Sequence, residues 1–218
     1  MSFQFAYLLS TMPRLCAAAL VNLRLAVVIA LLAIVGATAL TILRVMKIAP
    51  VNVVVAVVIS FIRGTPLLIQ IFLFYYVLPA IGLDLSPETA GVAAIALNSS
   101  IFIAETMRGG LQTIDPGQVE AACALSLSRR VIWQRVLLPQ LFRRILPVLV
   151  NEITIVVKGT ALLSMITVVD VLRTAQQISS ASYRPFETLV GAALLFLAIN
   201  LVVILVGMRG ESRLAVRG

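Results

Sequence analysis

Long apolar runs separated by short charged or polar segments dominate this sequence. A bilayer core of about 30 Å requires about 20 apolar residues in a helix that rises about 1.5 Å per residue. Five runs reach that length. The pattern therefore predicts an all-α membrane protein with about five transmembrane helices in a single domain, residues 1–218, with spans at about 17–43, 51–79, 88–107, 140–169 and 186–208.

Polar residues interrupt two of these runs. The second run contains Arg63, Gly64, Thr65 and Pro66 in succession. Because Pro66 lacks a backbone donor and disfavours helical geometry at the preceding residue, we expect a kink or break there. The fourth run carries Pro147, Glu152 and Lys158, and the stretch 170–187 that follows it is polar and rich in Ser. The fourth span is therefore not expected to face lipid alone.

The segment 115–139 is both charged and helix-patterned. Asp115 occupies an N-cap position, Pro116 the first helical position, and Gln118 lies three residues after the cap, close to a capping box. Apolar residues then recur at three- and four-residue steps, which predicts a helix with one packing face formed by Val119, Ala122, Cys123, Leu127 and Val131. The other face is small and polar, and the excess of Arg favours an acidic or polar partner, so we interpret the segment as a docking element.

Composition supports the membrane assignment. The chain is 61% hydrophobic and 12% charged, with a mean hydropathy of +1.10, whereas soluble proteins carry about 25% charged residues. No His is present, which excludes a His-ligated zinc site and a His-based catalytic dyad. We expect Cys16 and Cys123 to be separate packed side chains, and the N-terminal residues, which lack a basic region, to carry no cleaved signal.

The distribution of basic residues predicts an orientation. The basic residues are spread between apolar spans and not gathered on one face, so the net charge of +8 does not indicate a surface that binds nucleic acid. If segment 115–139 is cytoplasmic, that side holds eleven of the 17 Lys and Arg residues. The positive-inside rule then places the N-terminus outside and the C-terminus in the cytoplasm. The eleven are Arg44, Lys47, Arg108, Arg129, Arg130, Arg135, Arg143, Arg144, Arg209, Arg213 and Arg217.

A longer motif lies within the charged segment: Glu120-Ala121-Ala122, three residues, Ser126, nine residues, Val136, one residue, Leu138 and Pro139. This spacing is similar to the EAA signature, EAA-x3-G-x9-I-x-L-P, of the permease subunits of bacterial ABC importers. The sequence departs at Ser126, where the family usually has Gly, so a residue with a Cβ must make the tight turn expected there. Residues 62–67, 104–110, 117–118 and 158–162 resemble further landmarks of the polar amino acid permease branch, although 158–162 differs from the usual K-D-T-S-L at two positions.

The resemblance, which covers about residues 20–190, implies the transmembrane domain of a type I ABC importer. Its cytoplasmic coupling helix would sit in a cleft of an ATPase subunit through Glu120, Ala121, Ala122, Ser126, Leu138 and Pro139. It also implies a second permease subunit, identical or homologous, a periplasmic solute-binding protein, and import of polar L-amino acids across the bacterial inner membrane.

The chain itself has no G-x-x-x-x-G-K-[ST] loop and no acidic cluster for magnesium. We therefore expect no enzymatic activity, cofactor or metal in this chain, and binding and hydrolysis of ATP by the partner. A passive channel or pore is the alternative from another class, and a membrane-embedded enzyme is a weaker third one.

Ionisable residues at membrane depth are interpreted in two ways, as structural pairs or as pathway residues. Glu105 and Arg108 are three residues apart near the cytoplasmic boundary, which favours an ion pair. Arg63 either bonds carbonyls freed at the break, reaches an interface, or faces the pathway. Glu152 and Lys158 are six residues apart, about 600° of helix rotation, so each needs its own partner.

Polar residues near these charges extend the set of candidates. Lys158 precedes Gly159 and Thr160, where a loosened helix would expose backbone groups, as the midplane sites of transporters do. Asn98 either bonds a neighbouring helix or donates to a ligand. The candidate pathway residues are Arg63, Asn98, Glu105, Glu152, Lys158 and Thr160.

Overall fold

The described part of the protein is built from α-helices, as the apolar pattern predicted. The computed structural model describes residues 3–45 and 49–215, so Lys47 and Arg217, which enter the charge count, lie outside it. Short π or 3₁₀ turns continue α3 through Leu73–Val77 and Leu78–Ile81, α6 through Trp133–Leu137, and α7 through Thr160–Ile166. The helices are α1 Phe5–Val45, α2 Ala49–Gly64, α3 Leu67–Phe72, α4 Pro87–Gln112, α5 Pro116–Ala124, α6 Arg129–Ile132, α7 Leu138–Gly159, α8 Val171–Ser182 and α9 Pro185–Ala215.

Among the described residues, four helical stretches are long and apolar enough to cross a membrane: Phe5–Val45, Pro87–Gln112, Arg129–Ile166 and Pro185–Ser212. A fifth span results if the bent pair Asn52–Gly64 and Leu67–Ile81 crosses as one unit. The chain bends by 114° between the two parts of this pair, which confirms the break expected at Pro66. The polar stretch before the last span is not irregular, because most of it forms α8.

Packing of α1 along α4 forms the centre of the bundle. At Gly36 on α1, an added Cβ would meet the side chain of Ser100 on α4, so a larger residue there would require Ser100 to shift. Small residues at such contacts are typical of helices packed in lipid. Around the contact, one buried cluster joins α1, α3, α4, α7 and the turn after α7; it includes Ile29, Ile71, Ile95, Val156 and Leu163.

A buried polar network fastens the start of α8 to α1. Asn22 Nδ2 donates to Thr160 Oγ1 at 2.9 Å and to Asp170 Oδ2 at 3.2 Å, while Asn22 Oδ1 accepts from the Val171 N–H at 3.0 Å. Asp170 also caps α8 by accepting from the Arg173 N–H at 2.8 Å. Burial raises the pKa of the Asp170 carboxyl, and these hydrogen bonds oppose that rise. The network holds the polar stretch after α7 against the bundle.

Candidate functional site

Helix α5 presents the EAA residues at one end of the bundle. Asp115 Oδ1 accepts from the Gly117 N–H at 2.9 Å and Pro116 opens the helix, so the expected N-cap is confirmed. Of the three EAA residues, Ala122 is buried, whereas Glu120 and Ala121 are exposed. The short helix therefore packs through one small residue and leaves its single carboxylate in solvent.

The expectation of one helical face through Leu127 and Val131 is wrong, and Cys123 and Cys16, which were expected to be packed, are exposed. Helix α5 ends at Ala124, and Ser126 takes a φ of 56°, in the left-handed region. The Ser126 N–H donates to Cys123 O at 2.9 Å and the Leu127 N–H to Ala122 O at 3.2 Å. This pair of bonds is a Schellman motif, which satisfies the last carbonyls of a helix and stops it. The tight turn at Ser126 is thus made by a residue with a Cβ, as the motif required.

Beyond the turn, the chain re-enters the bundle through a second capped helix. Ser128 Oγ accepts from the Val131 N–H at 3.4 Å to cap α6. A π turn then leads into α7, which begins at Leu138 and Pro139. Gln118, expected from the capping-box spacing to bond its own helix start, accepts a hydrogen bond from Gln140 Nε2 instead. This bond ties α5 to the first turn of α7.

The sequence pattern missed the most exposed apolar side chain of this segment. Leu125 occupies the C-cap of α5 and is 75% exposed. Arg129 and Arg130, just beyond the turn, are also exposed. A large apolar residue held at a protruding turn and flanked by charges is typical of a protein contact. The only indication of this exposure in the sequence was that Leu125 directly precedes Ser126, where the EAA signature expects a tight turn.

A cavity of about 270 Å³, with apolar walls and a few polar side chains, lies between the break in the second span, α4 and α7. It brings together three of the predicted pathway residues, Arg63, Asn98 and Glu152, and adds Thr65. Glu152 is 9% exposed, and the described residues give its carboxylate neither a salt bridge nor a hydrogen bond. A carboxylate that opens into a cavity at membrane depth without a partner is available to a polar ligand.

Gln70, a residue that sequence reasoning missed, positions this cavity. Its Nε2 donates to the carbonyls of Ile62 at 2.8 Å and Thr65 at 3.0 Å, both at the break before Pro66. Its Oε1 accepts from Asn98 Nδ2 at 2.9 Å. The Gln70 side chain thus bonds the carbonyls that lose their helical partners at the break, and joins them to α4. Bonding these carbonyls was one of the roles considered for Arg63.

The remaining three predicted pathway residues do not line the cavity. Lys158 is exposed on α7, and Thr160 is fully buried in the network with Asn22. Glu105 bonds Arg44 and lies 3.0 Å from Arg108 Nη2, so the ion pair expected from the spacing is confirmed and gains a second arginine from α1. Thr160 does mark the loosening expected after Lys158, because α7 changes there to a 3₁₀ turn.

Residues 40–215 match the family described as binding-protein-dependent transport system inner membrane components. The chain therefore belongs to this family, the multi-pass permease subunits of ABC importers, and the resemblance drawn from the EAA spacing is confirmed.

Relatives and solved structures agree with this assignment. The nopaline transport system permease protein NocM of Agrobacterium fabrum is 35% identical, over 90% of this chain and 86% of that protein. The arginine transport system permease protein ArtQ of Bacillus subtilis is 31% identical, over 98% of both chains. One solved structure, a crystal structure of an amino acid ABC transporter with histidines, superposes on this fold with a TM-score of 0.90. The two chains share 32% sequence identity, and the match covers 98% of this chain and 100% of that one. The described fold is therefore that of a type I importer transmembrane domain.

Replacing Ser126 with Gly tests the turn. Because a residue with a Cβ in the left-handed region costs about 1 kcal/mol relative to Gly, Ser126→Gly should raise the thermal unfolding midpoint of the purified chain in detergent. The matched control is Ser128→Gly, where φ is −65° and the side chain caps α6; it should lower the midpoint slightly. A Ser126→Gly variant less stable than the parent would contradict the left-handed turn.

Proposed function

We propose that this chain is the membrane-spanning subunit of an ATP-driven importer of polar L-amino acids in the bacterial inner membrane. The family match supports its role as a transport component. The substrate class is supported by the names of its relatives, which are permeases for nopaline, arginine and, as a putative assignment, glutamine. The chain carries no cofactor of its own in this proposal, and ATP is bound and hydrolysed by a partner.

Two ATPase subunits are proposed to dock on the coupling segments of a pair of permease subunits. The observation that carries this proposal is the protruding turn, with Glu120 exposed on α5 and Leu125 exposed at its end. The Schellman turn and the bond between Gln118 and Gln140 make the segment a compact unit attached to α7. Movement of the ATPases would then pass to the spans as a rigid-body shift between two packings.

The substrate pathway is proposed to include the cavity with Arg63, Asn98 and Glu152. An amino acid carries both an ammonium and a carboxylate, and the cavity offers a carboxylate, a guanidinium and an amide that match them. Lys158, on the exposed face of α7, remains a pathway candidate, because a second permease subunit placed on that face would enclose it. That second subunit is identical to this chain or homologous to it.

The orientation proposed from charge places the N-terminus outside and the C-terminus in the cytoplasm. A periplasmic solute-binding protein would then deliver substrate at the end of the bundle that carries Glu88 and α8. The end that carries Glu120 and Ser126 would meet the ATPases.

Charge reversal at Glu120 tests the docking proposal. Because Glu120 is the only acid between Asp115 and Glu152 in a basic stretch, Glu120→Lys should uncouple ATP hydrolysis from uptake while the protein remains in the membrane. Uptake into proteoliposomes and ATP hydrolysis are measured on the reconstituted complex. Glu211→Lys, the same charge change on α9, is the control and should leave coupling intact. Uptake by Glu120→Lys at the parent rate would reject the role of Glu120.

Neutralising Glu152 tests the cavity. Glu152→Gln keeps the volume of the side chain and strands no charged partner, so the yield of detergent-stable complex should not change. Uptake should fall about tenfold or more, since loss of one charge-assisted hydrogen bond to a ligand is worth about 1.5–3 kcal/mol.

The control for this change is Glu88→Gln, which removes an exposed carboxylate paired with Arg24 at 2.7 Å. It should leave uptake and yield unchanged, because exposed ion pairs contribute little. A fall in complex yield with Glu152→Gln would indicate a structural role, and unchanged uptake would remove Glu152 from the pathway.

A further inference from the structure

Two adjoining cavities lie at the end of the bundle that carries the coupling segment. One, of about 560 Å³, is lined mostly by apolar side chains of α1, α4 and α7 together with Trp133. The other, of about 510 Å³, is lined by Arg44, Asn52 and Arg108 among others. Thr41, Val45 and Leu111 line both cavities, so an apolar chamber and a basic chamber share one wall. Both volumes fall in the range of roughly 300–1,000 Å³ usual for ligand sites.

The basic chamber carries a surplus of positive charge. Arg44 and Arg108 both bond the same carboxylate, that of Glu105, so two guanidinium groups share one acid. Arg108 uses Nε and Nη2 for this contact, and Arg44 uses Nη1. Within the described residues, no hydrogen bond uses Arg108 Nη1 or the Nε and Nη2 of Arg44. Donors of two arginines therefore remain for an anion.

An unsatisfied amide lies in the same wall. The side-chain oxygen of Asn52 is buried and has no hydrogen-bond partner in the described part of the chain. A buried polar atom without a partner destabilises a protein unless a ligand or water completes its bonding. A hydroxyl group next to an anion held by the two arginines would be the complement of this amide.

The apolar lining of the first chamber indicates that the anion carries a hydrocarbon chain. This lining includes Ile42, Met107, Leu141 and Trp133, the only Trp of the chain. Indole rings are enriched at the level of lipid headgroups, where one side is apolar and the other polar. A free phosphate would occupy the basic chamber and leave the apolar one empty, whereas a phospholipid fills both.

We propose that these two chambers bind one anionic phospholipid, with its phosphate on Arg44 and Arg108 and an acyl chain in the apolar chamber against Trp133. Basic pockets between transmembrane helices are known sites for anionic headgroups. The lipid would connect α1 and α4 to the turn that follows α6, which lies within the coupling segment 115–139. Its binding rests on these contacts alone and does not require the proposed transport activity.

The single Trp permits a direct binding measurement on the full chain in neutral detergent micelles. Phosphatidylglycerol or phosphatidylcholine with dibrominated acyl chains is added, and quenching of Trp133 fluorescence is followed as a function of lipid mole fraction. We expect half-maximal quenching by phosphatidylglycerol at a mole fraction at least about fivefold lower, since each arginine near an anionic lipid contributes about that factor. Equal quenching by the two lipids would overturn the proposal.

Variants distinguish lipid binding at this site from a general effect of surface charge. Arg108→Gln should reduce the preference about fivefold, while Glu105 keeps Arg44 as its partner. Arg108→Lys should restore part of the preference, which would show that the loss follows the charge at position 108. Unchanged quenching by phosphatidylcholine would show that the Gln variant is folded. Arg130→Gln removes an exposed arginine that lines neither chamber and should have no effect. Loss of preference with Arg130→Gln equal to that with Arg108→Gln would contradict a specific site.

Inorganic phosphate separates a lipid site from a free-anion site. At constant ionic strength, millimolar phosphate should leave the quenching by phosphatidylglycerol unchanged, because phosphate lacks the acyl chain that holds the lipid in the apolar chamber. Displacement of the lipid by phosphate at that concentration would overturn the lipid assignment and identify a phosphate site instead.

Discussion

Backbone groups inside a bilayer must find hydrogen-bond partners within the protein, and the described fold depends on how this constraint is met at Pro66. The break there frees carbonyls at Ile62 and Thr65, and one side chain, Gln70, bonds both of them and Asn98 of α4. The 114° bend is therefore stabilised by hydrogen bonds on both of its sides. Because the bend turns Arg63 and Thr65 toward α4 and α7, the same constraint creates the cavity beside Glu152.

A second backbone constraint shapes the coupling segment. Ser126 adopts a conformation that disfavours a Cβ, and the Schellman bonds around it end α5 after nine residues. The strained turn presents Leu125 and Glu120 outward, while Gln118 and Gln140 hold the helix to α7. Residues at functional contacts often occupy such sparsely populated conformations, because the surrounding structure holds them there. In the proposed function, this short element, attached to α7 by a hydrogen bond, would transmit movement of the ATPase to the spans.

Sequence reasoning predicted the features that depend on local chemistry. The break at Pro66, the cap at Asp115 and the pairing of Glu105 with Arg108 follow from neighbouring residues. The turn at Ser126 was expected only from the resemblance to the EAA signature, because the apolar pattern by itself predicted a helix that continues through it. It missed Gln70, Leu125 and the network of Asn22, because these depend on helix rotation and on partners up to 149 positions apart in the chain. Helix rotation did predict that Glu152 and Lys158 face different surroundings, but not which of them faces the cavity.

We propose that this chain forms the pathway of an importer driven by a separate ATPase. The most direct measurement reconstitutes the chain with its ATPase and its solute-binding protein in liposomes and follows a radiolabelled polar amino acid. The account predicts accumulation above the external concentration, only when ATP reaches the ATPase side and the binding protein is present on the other. Flux through the chain alone that stops at equal concentrations, with no need for ATP, would show a passive channel and contradict the account.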